Sequence, residues 1–255
     1  MDVIINKHTI RLSKDPELLD PNKSTIIFLH DSLGCIKLWK DFPEKLGLET
    51  GLNVLAYDRQ GYGESSPFTI HERSTHYLKN EAELLEKLLD QLGLTDVLLF
   101  GHSDGGSIAI LAAALFPKRI KGIITEGAHV FVEKETITGI KKAVEAYTNT
   151  NLKEKLIRYH GNKTDAVFRM WTQTWLSDKF QSWNIESYLS QIQCPLLIIQ
   201  GEKDEYGTLD QVTSITTNTK GESTALILPN IGHTPHKENA KLVIAKTKSF
   251  IQEVS

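Results

Sequence analysis

The chain has 255 residues, with 29 basic and 32 acidic side chains and a formal net charge of −3, and neither sign forms a long run, so nucleic acid and anionic membrane surfaces are not implied as partners. Its two cysteines, Cys35 and Cys194, are too few for a disulfide framework and suit a reducing compartment, and no stretch approaches 18 uninterrupted apolar residues, which argues against a membrane span. The start, Met1 to Lys7, has no basic region followed by a long apolar one, so it is not read as a signal peptide and a cytoplasmic location is expected.

Along the chain, short apolar runs alternate with amphipathic stretches. An apolar strand near 24–29 opens into His30-Asp31-Ser32-Leu33-Gly34, and a helix follows near 37–48. A strand near 53–57 leads into the turn Tyr57-Asp58-Arg59-Gln60-Gly61-Tyr62-Gly63-Glu64-Ser65. The next helix, near 74–92, carries Leu78, Leu84, Leu85, Leu88, Leu89 and Leu92 at spacings that fill one face, and stops at Gly93. A strand near 96–100 runs into Gly101-His102-Ser103-Asp104-Gly105, after which an alanine-rich helix spans about 104–115; a strand near 120–125 then ends at Glu126.

Between about 129 and 190 the strand rhythm is lost. Charged, aromatic, helix-compatible segments take over, with Trp171, Trp175 and Trp183 among them. The rhythm resumes with a strand near 195–200 ending in Gly201-Glu202-Lys203-Asp204, a helix near 208–218, a strand near 224–228, the loop Asn230-Ile231-Gly232-His233, and a last helix near 237–252. Such alternation predicts a parallel sheet with helices on both faces, and ligands in such sheets bind beyond the carboxyl ends of the strands. Ser32, Ser103, Asp204 and His233 all fall at that edge. The division that follows is a core of residues 1–128 and 191–255 with a helical cap over 129–190.

Ser103 sits between two glycines at a strand-to-helix junction, in the spacing G-x-S-x-G. A tight turn there lifts the hydroxyl to its apex beside helix-terminal N–H groups, and a Cβ at Gly101 or Gly105 would collide across the turn. The pentapeptide arises by chance in roughly one chain in ten to twenty of this length at average glycine and serine usage, so the other loops must carry the reading. They supply serine, acid and histidine in the chain order that a serine hydrolase of this type needs. No CxxC pair, HExxH helix, nucleotide-type glycine loop or cluster of metal ligands is present, so neither a metal nor an organic cofactor is called for.

With these marks spread over four loops, the chain resembles the α/β-hydrolase family over essentially its whole length. Within it, the Ser103-Asp104-Gly105-Gly106 elbow is similar to that of the small esterases of the biphenyl-hydrolase-like, valacyclovir-hydrolase type. The resemblance implies an α/β-hydrolase fold with a mostly parallel central sheet and a helical cap inserted after the sixth strand. It implies Ser103 as nucleophile, His233 as base and Asp204 as the acid that orients it, with the backbone N–H groups of Ser32 and Asp104 as the oxyanion hole. Asp31 stands where the family has glycine, and Gln60 stands where glycine is usual in the Asp58 turn. The Asp31 carboxylate either folds into a loop hydrogen bond or selects a positively charged substrate group. Asp104 either complements the helix dipole or, as the resemblance implies, meets a substrate amine.

Further pocket candidates are Glu126, which is also an alternative orienting acid, together with Trp171, Trp175 and His236. His102 is read as packing beside the elbow and Cys35 as a packing residue. The expected function is a cofactor-independent serine hydrolase, acting as a monomer or homodimer on a small-molecule ester through an acyl-enzyme. An acyltransferase or a C–C bond hydrolase on the same triad is the alternative, and a low-turnover ligand-binding or receptor protein of the same fold is a third class.

Overall fold

A strand covered by helices on both faces has no solvent side, so each of its residues must be apolar or paired. All five residues of β3, Thr25–Leu29, are buried, and so are all six of β7, Leu196–Gly201. These strands belong to a six-stranded sheet in the order β4-β3-β5-β6-β7-β8, completed by β4 (Asn53–Ala56), β5 (Val97–His102), β6 (Ile120–Glu126) and β8 (Ser223–Leu228). Every pairing within it is parallel. The computed structural model describes residues 1–254.

Side chains alternate between the two faces with the period of two that a strand imposes. Ile27, Leu29, Leu99 and Ile123 join one core with the helices α2 (Tyr77–Gln91) and α3 (Asp104–Leu115). Ile26, Phe28, Leu98 and Phe100 join the other with α1 (Phe42–Thr50) and α10 (Ala240–Val254). In that second core Phe28 stacks on Phe100 at 5.2 Å between ring centroids, with Trp39 edge-on to Phe28 at 5.3 Å. Full burial of such a side chain contributes about 1.5–3 kcal/mol.

Between β6 and β7 the chain leaves the sheet for α4 (Lys134–Asn149), α5 (Leu152–His160), α6 (Thr164–Trp175) and α7 (Glu186–Leu189). It departs and returns at one place, because Ile185 N–H donates to the Val130 carbonyl at 2.7 Å. His160, at the end of α5, ties this segment to the sheet edge. Its Nε2 donates to the Leu33 carbonyl at 2.9 Å and its Nδ1 accepts from Gly63 N–H at 3.0 Å. After β7 come α8 (Leu209–Asn218) and the short α9 (Pro235–Glu238).

Three local departures from the sequence reading have physical causes. The helix expected at 37–48 is a 3-10 turn, Ile36–Trp39, followed by α1. Lys40 at φ 56° breaks the run, and Pro43 is accommodated only in a first helical turn. The last helix is split at Asn239, where φ −144° and ψ 58° leave helical space. A two-stranded antiparallel hairpin, β1 (Asp2–Ile5) with β2 (His8–Arg11), was not anticipated. Its turn residues Asn6 and Lys7 both have positive φ, 50° and 70°, a geometry that sequence signals best when glycine occupies it.

Candidate active site

Ser103 is held at φ 55° and ψ −119°, a conformation that costs a non-glycine residue about 1–3 kcal/mol unless its surroundings enforce it. They do. Its N–H donates to the Glu126 carbonyl at the end of β6 at 2.8 Å, and its carbonyl accepts from Gly106 and Ser107 in the first turn of α3 at 2.8 and 3.1 Å. A Cβ on Gly101 would lie 2.2 Å from the Gly105 carbonyl oxygen, and one on Gly105 would lie 1.9 Å from the Leu29 carbonyl oxygen. The first of these is the cross-turn collision read from sequence. The second involves the neighbouring strand β3, so the elbow is seated in the sheet as well as tightly wound.

His233 follows β8 and reaches Asp204, which follows β7. The His233 Nδ1 lies 2.9 and 2.8 Å from the two carboxylate oxygens of Asp204. A carboxylate only accepts, so Nδ1 carries the proton and Nε2 is left with its lone pair. Asp204 also accepts from Tyr206 N–H at 2.8 Å and Gln200 Nε2 at 2.8 Å. Burial works against both charges, yet the pairing prevails: it lowers the Asp204 pKa and raises that of His233 above the usual imidazole value. Gly127 makes room for this pair. At φ 56° it passes under the imidazole, where an added Cβ would stand 2.8 Å from His233 Cε1.

Ser103 and His233 line one cavity at the carboxyl edge of the sheet, together with Asp31, Ser32 and Asp104. Among the described residues, the N–H groups of Ser32 and Asp104 donate to no protein acceptor. Two free donors from residues that line one cavity with Ser103 are suited to an oxygen that acquires negative charge.

The loop carrying Ser32 is braced from below by Arg59, which is fully buried. Its Nη2 donates to the carbonyls of Asp31 at 2.8 Å and His30 at 3.2 Å, and its Nη1 lies 3.6 Å from Asp104 Oδ2. Tyr77 Oη donates to the same Asp104 oxygen at 3.0 Å and accepts from Trp175 Nε1 at 2.8 Å. The Asp104 carboxylate is therefore part of a buried pair with a cation, while its Oδ1 has no protein partner among the described residues.

Of the two alternatives left open by sequence, Asp31 shows the loop hydrogen bond. One oxygen accepts weakly from Leu33 N–H at 3.4 Å, over Gly34, while the side chain remains 28% exposed and lines the cavity. Trp171 and Trp175 also line it. Glu126 and His236, expected there, are not among its lining residues. They are paired with each other, His236 Nδ1 donating to Glu126 Oε2 at 2.6 Å, both almost fully buried behind the site. The reason is that His236 points the opposite way from His233, packing on Trp39 at 4.6 Å and Phe42 at 5.5 Å. Glu126 thus serves neither the cavity nor the His233 ring. His102 is adjacent to the elbow, as expected, and its Nε2 donates to the His233 carbonyl at 2.8 Å.

Sequence reasoning missed Leu33, His129, Tyr206, Thr136 and Ile140, which complete the lining. His129 lies three residues past β6 and donates from Nε2 to the Tyr206 carbonyl at 3.0 Å, and burial lowers its pKa. Its place just beyond a strand end was a usable signal. Thr136 and Ile140 sit one turn apart on α4, and nothing in their spelling separates them from ordinary core residues.

Residues 24–177 match the α/β hydrolase fold family. The sequence is 28% identical to a 2-hydroxy-6-oxononadienedioate/2-hydroxy-6-oxononatrienedioate hydrolase of Pseudomonas putida, over 92% of this chain and 90% of that one. It is also 28% identical to the Homo sapiens serine hydrolase BPHL, over 78% of this chain and 69% of that protein. Among solved structures, MGS-M2, an α/β hydrolase enzyme from a Medee basin deep-sea metagenome library, aligns with a TM-score of 0.77. That alignment covers 99% of this chain and 97% of the other at 23% identity, so it speaks to fold alone.

Proposed function

Because this chain belongs to the α/β hydrolase family, we propose that it is a cofactor-independent serine hydrolase that cleaves a small carboxylic ester through an acyl-enzyme. The observation that carries this reading is the paired His233 and Asp204 lining one cavity with a strained, glycine-flanked Ser103. Ser103 Oγ attacks the acyl carbon while His233 Nε2 takes the hydroxyl proton, and the carbonyl electron pair moves onto oxygen. The free N–H groups of Ser32 and Asp104 hold that oxyanion, each contributing a few kcal/mol. Collapse expels the alcohol, which takes the proton back from His233. Water repeats the sequence and frees the acid. Asp204 stays ionised throughout and keeps the ring in its Nδ1–H tautomer.

The helices between β6 and β7 act as the cap, since Ile140, Trp171 and Trp175 give the cavity its apolar wall. Hydrolysis of a C–C bond is the second reading, favoured by the Pseudomonas putida relative and its near full-length match. A fluorophosphonate probe followed by peptide mass spectrometry tests the nucleophile. The expected result is label on Ser103 in native protein and none in Ser103→Ala, whose turnover of nitrophenyl esters falls by about 10⁴-fold or more. Native protein that takes no label and hydrolyses no ester defeats the proposal.

A further inference from the structure

We propose that Asp31 is a specificity-determining residue that excludes substrates carrying a carboxylate on the acyl chain, so that this cavity takes uncharged acyl groups. The inference rests on the hydrolase reading and narrows its substrate class.

The oxyanion loop is an unfavourable place for an acid. A fixed negative charge beside a developing oxyanion raises the barrier unless it is turned aside, and the family's usual glycine has no such charge. Here the carboxylate is folded back over Gly34, where a Cβ would lie 2.0 Å from Asp31 Oδ1. This turns it away from a purely inward position, yet it remains part of the cavity wall. Burial opposes its ionisation, but His102, Lys237 and His30 together outweigh burial and hold the carboxyl well below the usual carboxylate range. A carboxyl held below its ordinary value is ionised near neutral pH.

The cavity wall offers a substrate no lysine or arginine. The Arg59 guanidinium lies beneath the loop, committed to two backbone carbonyls and to Asp104. His102 Nδ1 is 3.8 Å from Asp31 Oδ1 but His102 does not line the cavity, and its other nitrogen donates to the His233 carbonyl. Lys237 is exposed on α9 and contributes only from a distance. The second acid of the wall, Asp104, is balanced by Arg59. A substrate carboxylate entering this space meets Asp31 and finds no ammonium or guanidinium to pair with, a like-charge encounter that costs binding and specificity. The dienedioate named for the Pseudomonas putida relative is such an anion.

The test compares two esters of matched shape, mono-(4-nitrophenyl) glutarate and 4-nitrophenyl 5-methylhexanoate, after subtraction of spontaneous hydrolysis. Wild-type protein is expected to prefer the neutral ester by tenfold or more in kcat/KM. Asp31→Asn, which keeps size and removes charge, is expected to shrink that preference by about tenfold, mainly through KM for the anionic ester. Asp31→Gly, restoring the family's usual residue, should do the same if the asparagine variant folds poorly. A preference that neither variant moves, or a wild type that favours the glutarate, overturns the inference while leaving the hydrolase reading standing. A wild type that hydrolyses neither ester and takes no fluorophosphonate on Ser103 removes both.

Discussion

At the scale of single residues, the proposed base, His233, sets the expected response of this site to pH. Burial disfavours its protonated form, and the Asp204 carboxylate more than offsets that, so its pKa stands above the usual 6.5. A base works only when neutral, so kcat/KM is expected to rise with pH through a limb displaced above 6.5 and then level off. Asp204→Asn removes the charge that raises the pKa. Its limb is expected at lower pH and its kcat about 10⁴-fold down, measured with a neutral ester so that substrate ionisation plays no part. The same pairing affects stability with a definite sign. A group whose pKa rises on folding stabilises the protein fully below its unfolded value, and that contribution fades as pH climbs through the folded value. Acid therefore silences the site before it weakens this particular pair.

At the scale of elements, the elbow and the Arg59 brace show how the ends of neighbouring strands fix the chemistry. Ser103 is strained because β5 must turn into α3 within one residue, and the close approach of Gly105 to β3 leaves no space for a methyl group. Gly105→Ala is expected to cost about 3 kcal/mol or more, near the upper end for single substitutions, read from the urea midpoint, and to lower the rate of fluorophosphonate labelling. Arg59→Met tests the brace. It leaves Asp104 as a buried carboxylate without its cation, expected to cost about 3–5 kcal/mol. Adding Asp104→Asn is expected to recover part of that loss, because the charge and its partner are then removed together. Recovery in the denaturation midpoint separates an ion-pair role from simple packing. Gly127 connects the same logic to the base, since its positive φ and absent Cβ provide the room His233 occupies.

At the scale of the whole molecule, one hydrophobic core runs from the sheet into the helices inserted between β6 and β7. Leu99, Ile110 and Ile123 belong to the same cluster as Trp171, Trp175, Phe180 and Trp183. Polar ties reinforce the join: His160 to Leu33 and Gly63, and Gln211 to Val130 and Phe131. An inserted segment sharing its core with the sheet has little independent stability, so thermal or urea unfolding is expected to be a single transition. Far-ultraviolet circular dichroism, which reports all helices, should coincide with tryptophan fluorescence, which weights the inserted segment through three of four indoles. Separated curves would show the segment melting by itself. No helix among the described residues is long and apolar enough to cross a membrane.

The alternation of the central strands with their helices was legible in the sequence, because periodicity is a local property, whereas the β1–β2 hairpin and the breaks at Lys40 and Asn239 were not. The spelling of the elbow was legible as well, since a strained turn admits glycine and little else. The ordering of Ser103, Asp204 and His233 along the chain was visible too, but their meeting was not, because 130 positions of chain separate the first from the last. Only the folded sheet decides which acid faces which histidine. Glu126 and Asp204 both close strands, and His233 and His236 are three residues apart, yet the backbone sends His236 into the Trp39 and Phe42 cluster with Glu126 and leaves His233 to Asp204. The cavity wall belongs to the same class, since Thr136, His129 and Tyr206 become neighbours through packing across three segments. Periodicity and turn chemistry are written one residue after another, whereas the direction of a buried side chain is settled by the volume and charge of everything that surrounds it.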